Sequence, residues 1–272
     1  MKKRIFLIIS LILLTCAVIA VALKMKSNNF SSPGAAKTGV SLATLYTQAK
    51  EKESKGNLIE AKLLYQQLLA DFSNSPEAVN WQKKCEDLNI KLLFSSALTP
   101  KSVIYEIKPG DTLTKIAQAF KTTVELIKKS NNISDDKIFP GRKIKVWTAA
   151  FSIVVDKSEN ILMLKADEEV VKIYIVSTGA NNSTPVGSFK IVTKLVNPTW
   201  FKAGVVAEPG SPENILGSRW LGLSVPSYGI HGTIDPQSLG RQVTQGCVRM
   251  ANADVEELYT IVPEGTEVTI VD

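Results

Sequence analysis

The sequence predicts a multidomain α+β protein in which a helical bundle, a small βααβ module and a mostly β domain follow one another along 272 residues. Three observations carry this. Apolar residues recur at helical spacing within 41–97, the pattern changes to strand, helix, helix, strand within 101–147, and from residue 150 to 272 short alternating runs are separated by Gly, Pro and Asn turns. At about 150 residues per domain, the length leaves room for two folded units plus flanking segments.

Composition is that of a globular chain, 44% hydrophobic and 21% charged, which excludes a disordered chain or a polytopic membrane protein. The net charge of +6 is uneven: Lys2, Lys3, Arg4, Lys24 and Lys26 supply five of the six charges. The basic pI therefore belongs to the flanks of one hydrophobic segment, and no nucleic-acid partner is expected. That segment, residues 5–23, has neither charge nor proline, and at about 1.5 Å per residue its length approaches the hydrocarbon core of a bilayer. Residues 1–26 are expected to be a membrane anchor with the remainder exported. Ala20-Val21-Ala22 offers a signal-peptidase site as an alternative and Cys16 a lipidation site as a third; the anchor ranks first because the apolar run exceeds that of a signal core. Cys85 and Cys247 fall in different modules, and free thiols are expected.

Residues 27–40 (SNNFSSPGAAKTGV) are small, polar and aperiodic, which makes them a linker. In 41–97, Leu42, Leu45, Tyr46 and Ala49 mark one helix and Leu58, Ala61, Leu64, Tyr65, Leu68 and Leu69 a second, with Gly56-Asn57 between them; Ser75-Pro76 is expected to open a third. The string from Ala49 through Gly56-Asn57-Leu58, Ala61, Tyr65, Leu68 and Phe72 to Pro76 resembles a tetratricopeptide repeat, which implies helices packed around small residues at Gly56 and Ala61. One repeat buries its own face poorly, so a spacer is the expectation and a protein-partner site the alternative.

In 101–147, Ile104 to Ile107 alternates as a strand, and Lys108-Pro109-Gly110-Asp111 turns into a helix that Asp111 can cap. A second helix is expected from Thr123 to Lys129, stopped by Asn131-Asn132, before a closing strand that ends near Val146. The run from Tyr105 through Pro109-Gly110-Asp111-Thr112-Leu113 to Pro140-Gly141-Arg142 resembles a LysM module. That resemblance implies binding of N-acetylglucosamine-containing glycan strands in a groove between Gly110-Asp111-Thr112 and Pro140-Gly141.

The chain has a single histidine, His231, sixteen residues before Cys247. A thiol attacks carbonyls as thiolate, and a pKa near 8.5 leaves little thiolate at neutral pH unless an imidazole assists. Gly246 would admit a substrate backbone to the sulfur, amides near Cys247 could form an oxyanion hole, and the Gly232 carbonyl could orient the imidazole. A zinc site takes three or four ligands, so one His and one Cys point to no metal, and no cofactor is expected. Strands are expected at Phe151–Val155, Ile161–Lys165, Val170–Val176, Phe189–Leu195 and Glu267–Val271, forming a sandwich or small barrel, with one helix over Asn252–Thr260 capped by Asn252.

Five strings, Val176-Ser177-Thr178-Gly179, Thr184-Pro185-Val186-Gly187, Leu216-Gly217-Ser218-Arg219-Trp220, Tyr228-Gly229-Ile230-His231-Gly232-Thr233 and Gly246-Cys247-Val248-Arg249-Met250, resemble the L,D-transpeptidase catalytic domain of the YkuD type over residues 150–272. The resemblance implies Cys247 as nucleophile, His231 as base and Gly232 as orienter, with Arg249, Gly246, Tyr228 and Asn252 around a peptidoglycan stem peptide. Many members have Ser-His-Gly-Cys where this chain reads Thr244-Gln245-Gly246-Cys247. The implied reaction joins two stems in a 3→3 cross-link; the alternatives are an L,D-carboxypeptidase using the same acyl-enzyme and a non-catalytic wall-binding protein.

Overall fold

The computed structural model describes residues 40–202 and 204–272, so the expected anchor at 1–26 and most of the linker lie outside the described residues. Among the described residues no helix is long and apolar enough to cross a membrane. The chain forms two compact units, one ending at Leu93 and including Glu168–Val170, the other comprising the rest from Phe94.

The first unit holds three helices, α1 (Leu42–Ser54), α2 (Leu58–Asp71) and α3 (Ala78–Leu93). Leu45, Ala49, Ala61, Tyr65, Leu68, Trp81 and Leu88 form its core. Ala61 is fully buried, as the repeat pattern implies. Gly56 differs: a Cβ there would meet nothing, and its φ of +75° shows that the turn between α1 and α2, not helix packing, demands glycine. The third helix also starts later than Pro76, because Ser75 first forms a turn whose hydroxyl and carbonyl accept from the amides of Glu77 and Ala78.

In the second unit, β1 (Ser102–Glu106) pairs antiparallel with β2 (Lys143–Trp147), bracketing α4 (Leu113–Ala119) and α5 (Val124–Ser130). Ile107, Leu113, Ile116, Ile127, Ile144 and Val146 are its core. Thr112, not Asp111, caps α4 by accepting from Lys115 N, and Thr123 caps α5 in the same way from Leu126 N. Asp111 instead holds the preceding turn, accepting from Lys108 N and Tyr105 Oη, both at 2.8 Å. Asn131 ends α5 and clips β2 by exchanging hydrogen bonds with both backbone groups of Lys145.

The remaining chain builds an eight-stranded sheet. Its strands are β3 (Phe151–Asp156), β4 (Ile161–Ala166), β5 (Glu169–Ile175), β7 (Gly187–Val196), β10 (Arg219–Leu223), β11 (Gly229–His231), β13 (Val248–Arg249) and β14 (Glu267–Val271), in the order β13-β11-β10-β7-β14-β3-β4-β5. The short strands β6 (Thr178–Gly179) and β12 (Gln242–Thr244) pair parallel, and β8 (Trp200–Lys202) with β9 (Val205–Ala207) makes a hairpin between β7 and β10. The sheet curls until its two edges meet. Ser177, just past β5, exchanges N–H···O bonds of 2.8 Å with Arg249 in β13. The expected closed β architecture is thus one curled sheet with a bridged seam, and joining the edges this way leaves little unpaired backbone. Ile153, Val155, Leu162, Leu164, Ile230 and Val268 are buried, and α6 (Asn252–Ile261) buries Val255, Leu258 and Ile261. The helix begins at Asn252 with Ala251 as N-cap and no side-chain cap, because the Asn252 amide is used elsewhere.

Candidate active site

His231 ends β11 and Cys247 immediately precedes β13; these two strands run parallel with Ile230 opposite Val248 and His231 opposite Arg249. The seam of the curled sheet therefore sets the sole histidine and the candidate nucleophile on neighbouring strands, a proximity that spacing along the chain could not supply.

The imidazole is 2% exposed, stacked on Trp220 with centroids 5.9 Å apart, and its Nδ1 lies 2.7 Å from the Gly232 carbonyl. A carbonyl only accepts, so at neutral pH Nδ1 carries the proton and Nε2 keeps the lone pair a base needs. Burial pulls the histidine pKa down to about 4, opposed by the carbonyls of Gly232 and Leu216 and assisted by the charge of Arg249. The Cys247 thiol donates to the Ser227 carbonyl at 3.6 Å, and burial pushes its pKa up. Both shifts favour neutral forms, so the resting pair is thiol and imidazole rather than thiolate and imidazolium, and the proton moves when the thiol attacks.

The loop that carries Cys247 is fixed by two threonines that sequence reasoning passed over. Thr244 Oγ1 donates to the Cys247 carbonyl at 2.6 Å and accepts from Gly246 N at 3.2 Å. Thr184 Oγ1 accepts from Gly179 N at 2.7 Å and donates to the Gly246 carbonyl at 2.8 Å. The Gly246 amide is thus already engaged and is not a free oxyanion donor. Gly246 itself sits at φ +132°, and a Cβ on it would lie 2.6 Å from the Tyr228 ring. Gly246 therefore makes room for the Tyr228 ring. Gln245 is exposed.

Asn252 is also brought to the site, but as a brace. Its Oδ1 accepts from Ser218 N (3.1 Å) and Thr233 N (3.0 Å), and its Nδ2 donates to the Thr233 carbonyl (2.9 Å), which pins the residues following His231-Gly232. Arg249 Nη1 donates to Ser238 Oγ at 2.9 Å, while its Nε is buried with no hydrogen-bond partner among the described residues.

On the LysM-like module, the two predicted glycan-binding segments lie side by side. Ile107 N donates to the Arg142 carbonyl and Gly141 N donates to the Ile107 carbonyl, so the 139–142 loop is stitched to the strand that leads into Gly110-Asp111-Thr112. Gly110 and Gly141 both have φ of +84°, and Pro140 and Phe139 beside them are exposed.

A thiol and a neutral imidazole at the seam of a curled, mostly β domain define a site suited to acyl transfer. Residues 150–270 match the L,D-transpeptidase catalytic domain (YkuD) and residues 105–147 the LysM domain. The chain is 36% identical over 176 residues to the YkuD protein of Bacillus licheniformis, which carries the L,D-transpeptidase name; the match spans 62% of this chain and 98% of that one. It is likewise 36% identical to YkuD of Bacillus subtilis, over 61% of this chain and 97% of the relative. The cell wall-binding protein YocH of Bacillus subtilis is 43% identical over 105 residues, 36% of this chain and 37% of that one. The chain belongs to the L,D-transpeptidase family.

Proposed function

We propose that the protein cross-links peptidoglycan through a Cys247 thioester. The observation that carries this reading is the imidazole held neutral by burial, with Nδ1 on the Gly232 carbonyl, one register step from the strand that Cys247 leads. Cys247 attacks the carbonyl of the L-centre of the diamino acid in a tetrapeptide stem while His231 Nε2 takes the thiol proton. Collapse of the tetrahedral intermediate breaks the amide to the terminal D-alanine, whose amine leaves with that proton. An acceptor amine then attacks the thioester, passes its proton to His231, and releases the thiolate. The partnerless Nε of Arg249 supports a contact with an acidic stem peptide.

The LysM module holds a GlcNAc-containing glycan strand and so raises the local concentration of stems at Cys247. The hydrophobic segment at 5–23 supports placement on the outer side of the cytoplasmic membrane, with the helical unit as a spacer or a protein-partner site. Purified disaccharide-tetrapeptide incubated with the protein tests the reading by mass spectrometry. Cross-linked dimers that vanish with Cys247→Ala support it; tripeptide and D-alanine alone identify a carboxypeptidase, and intact substrate with retained glycan binding identifies a wall-binding protein.

A further inference from the structure

Between β7 and β10 the chain leaves the sheet for residues 197–218 and returns through a neck closed by the Asn197 amide on the Ser218 carbonyl at 2.9 Å. The β8–β9 hairpin in this excursion exposes one apolar face, where the cross-strand partners Phe201 and Val206 are 71% and 63% accessible, so hydrophobic burial does not hold that face in place. One side chain ties the excursion together. Asn214, 2% exposed, donates from Nδ2 to the carbonyls of Pro198 (2.8 Å), Ala207 (3.1 Å) and Glu208 (3.3 Å), gathering the residues that precede β8 with those at the end of β9. Its Oδ1 accepts from Leu216 N at 3.0 Å.

That last bond leads to the catalytic base. The Leu216 carbonyl lies against Gly232, where a Cβ would sit 3.2 Å from it, and it adds to the Gly232 carbonyl in favouring a protonated His231. The following residue, Gly217, has φ +64° and runs so close to Thr233 N and Asn252 Oδ1 that a Cβ would collide with both. The chain from Asn214 to Gly217 therefore lies hard against the loop that orients the histidine. We propose that Asn214 is a positioning residue that couples the 197–218 hairpin to the catalytic base by holding Leu216 and Gly217 against Gly232, whose carbonyl orients the His231 imidazole. The two ends of the amide act on different segments, Nδ2 on the hairpin and Oδ1 on Leu216. A ligand that moves the hairpin therefore changes the basicity of His231 through one side chain.

This inference rests on the acyl-transfer reading for its meaning, but not for its test. Because the chain has one histidine, the imidazole nitrogens of the untagged protein give a single pair of resonances in a ¹⁵N-histidine-labelled sample. A carbonyl acceptor favours the protonated ring, so loss of the Leu216 contact in Asn214→Ala should shift the imidazole titration down by about half a pH unit or more. It should also lower kcat about tenfold, because a weaker base accepts the thiol proton less readily. Asn214→Asp keeps an oxygen for Leu216 N but sets a carboxyl group against the three carbonyls, so it should raise KM and leave the imidazole titration in place or move it up, since a nearby carboxylate favours the protonated ring. An Asn214→Ala protein that is less heat-stable yet titrates as wild type overturns the proposal, as does an Asn214→Asp protein whose titration moves down as far as that of Asn214→Ala. If Asn214→Ala does not fold, Phe201→Ser on the exposed hairpin face replaces it: saturating wild type and this variant with the tetrapeptide donor must move the imidazole resonances of the first more than those of the second, and equal movement overturns the coupling. The expected titration shift in Asn214→Ala, together with no turnover by the wild-type protein, would support the coupling and reject the acyl-transfer reading alone.

Discussion

The LysM module and the catalytic seam are built on opposite principles. In the module, each side is shaped by close neighbours and the two sides meet only through Ile107 with Gly141 and Arg142 and the β1–β2 pair: Thr112 caps its own helix, Asp111 holds the turn three residues behind it, and Asn131 reaches only fourteen residues to Lys145. At the seam, Ser177 meets Arg249, Thr184 meets Gly246 across sixty-two residues, and Asn252 bridges Ser218 and Thr233. A groove of local contacts tolerates change elsewhere in the chain, whereas a site assembled from distant strands is only as good as the closure of the sheet. The difference also separates chemistry from recognition, since the buried pair needs a dry, fixed environment and the glycan groove needs exposed turns.

Removing the proposed nucleophile tests this separation most strongly. Cys247→Ala should lower cross-linking by at least about 10⁴-fold while leaving the thermal midpoint and glycan binding unchanged. Residual turnover near wild type would break the comparison. Gly246→Ala comes next: at φ +132°, with its new Cβ driven into the Tyr228 ring, it should cost roughly 100-fold in kcat/KM by displacing the sulfur and should also lower the melting temperature. Adding Tyr228→Ala should restore only part of the rate, since the backbone strain remains; full restoration would show that sterics alone demanded glycine.

The buried histidine makes the catalytic domain acid-sensitive. Its folded pKa, about 4, lies below the ordinary value near 6.5, so the unfolded chain binds more protons between those limits. Stability is complete above about 6.5 and falls as pH drops toward 4, by up to about 3 kcal/mol. Denaturant melts of wild type and His231→Gln across that window should converge at low pH, and parallel curves would contradict the burial account. The smallest effect belongs to the module. Asp111→Ala removes two hydrogen bonds, should loosen the turn and weaken glycan binding, and should leave turnover of soluble tetrapeptide within about twofold of wild type.

These two regions also explain how much could be read from the sequence. The module was legible nearly to the residue because caps, turns and periodicity are local signals; the exchange of roles between Asp111 and Thr112 is a choice between adjacent cap formers. The long strands β3, β4, β5, β7 and β14 were legible from alternation, with β14 matching to the residue. The short strands β6, β11, β12 and β13, of two or three residues each, carry no period to detect, yet they form the seam. Cys247, His231 and Gly232 were legible because their chemistry is unusual. Asn214, Thr184 and Thr244 were not, because a buried polar side chain that braces backbone looks, in sequence, like any residue in a polar loop. Asn252 was legible as a residue of the site, but its brace on Ser218 and Thr233 was not, since nothing local shows which distant amides it meets.

The central claim is that Cys247 forms an acyl-enzyme with a tetrapeptide donor. The most direct measurement is the intact mass of the protein after brief mixing with purified disaccharide-tetrapeptide and an acid quench, followed by peptide mapping. The account predicts an adduct equal to the donor less D-alanine, mapped to Cys247 and absent from Cys247→Ala. Release of D-alanine by Cys247→Ala at the wild-type rate would contradict it.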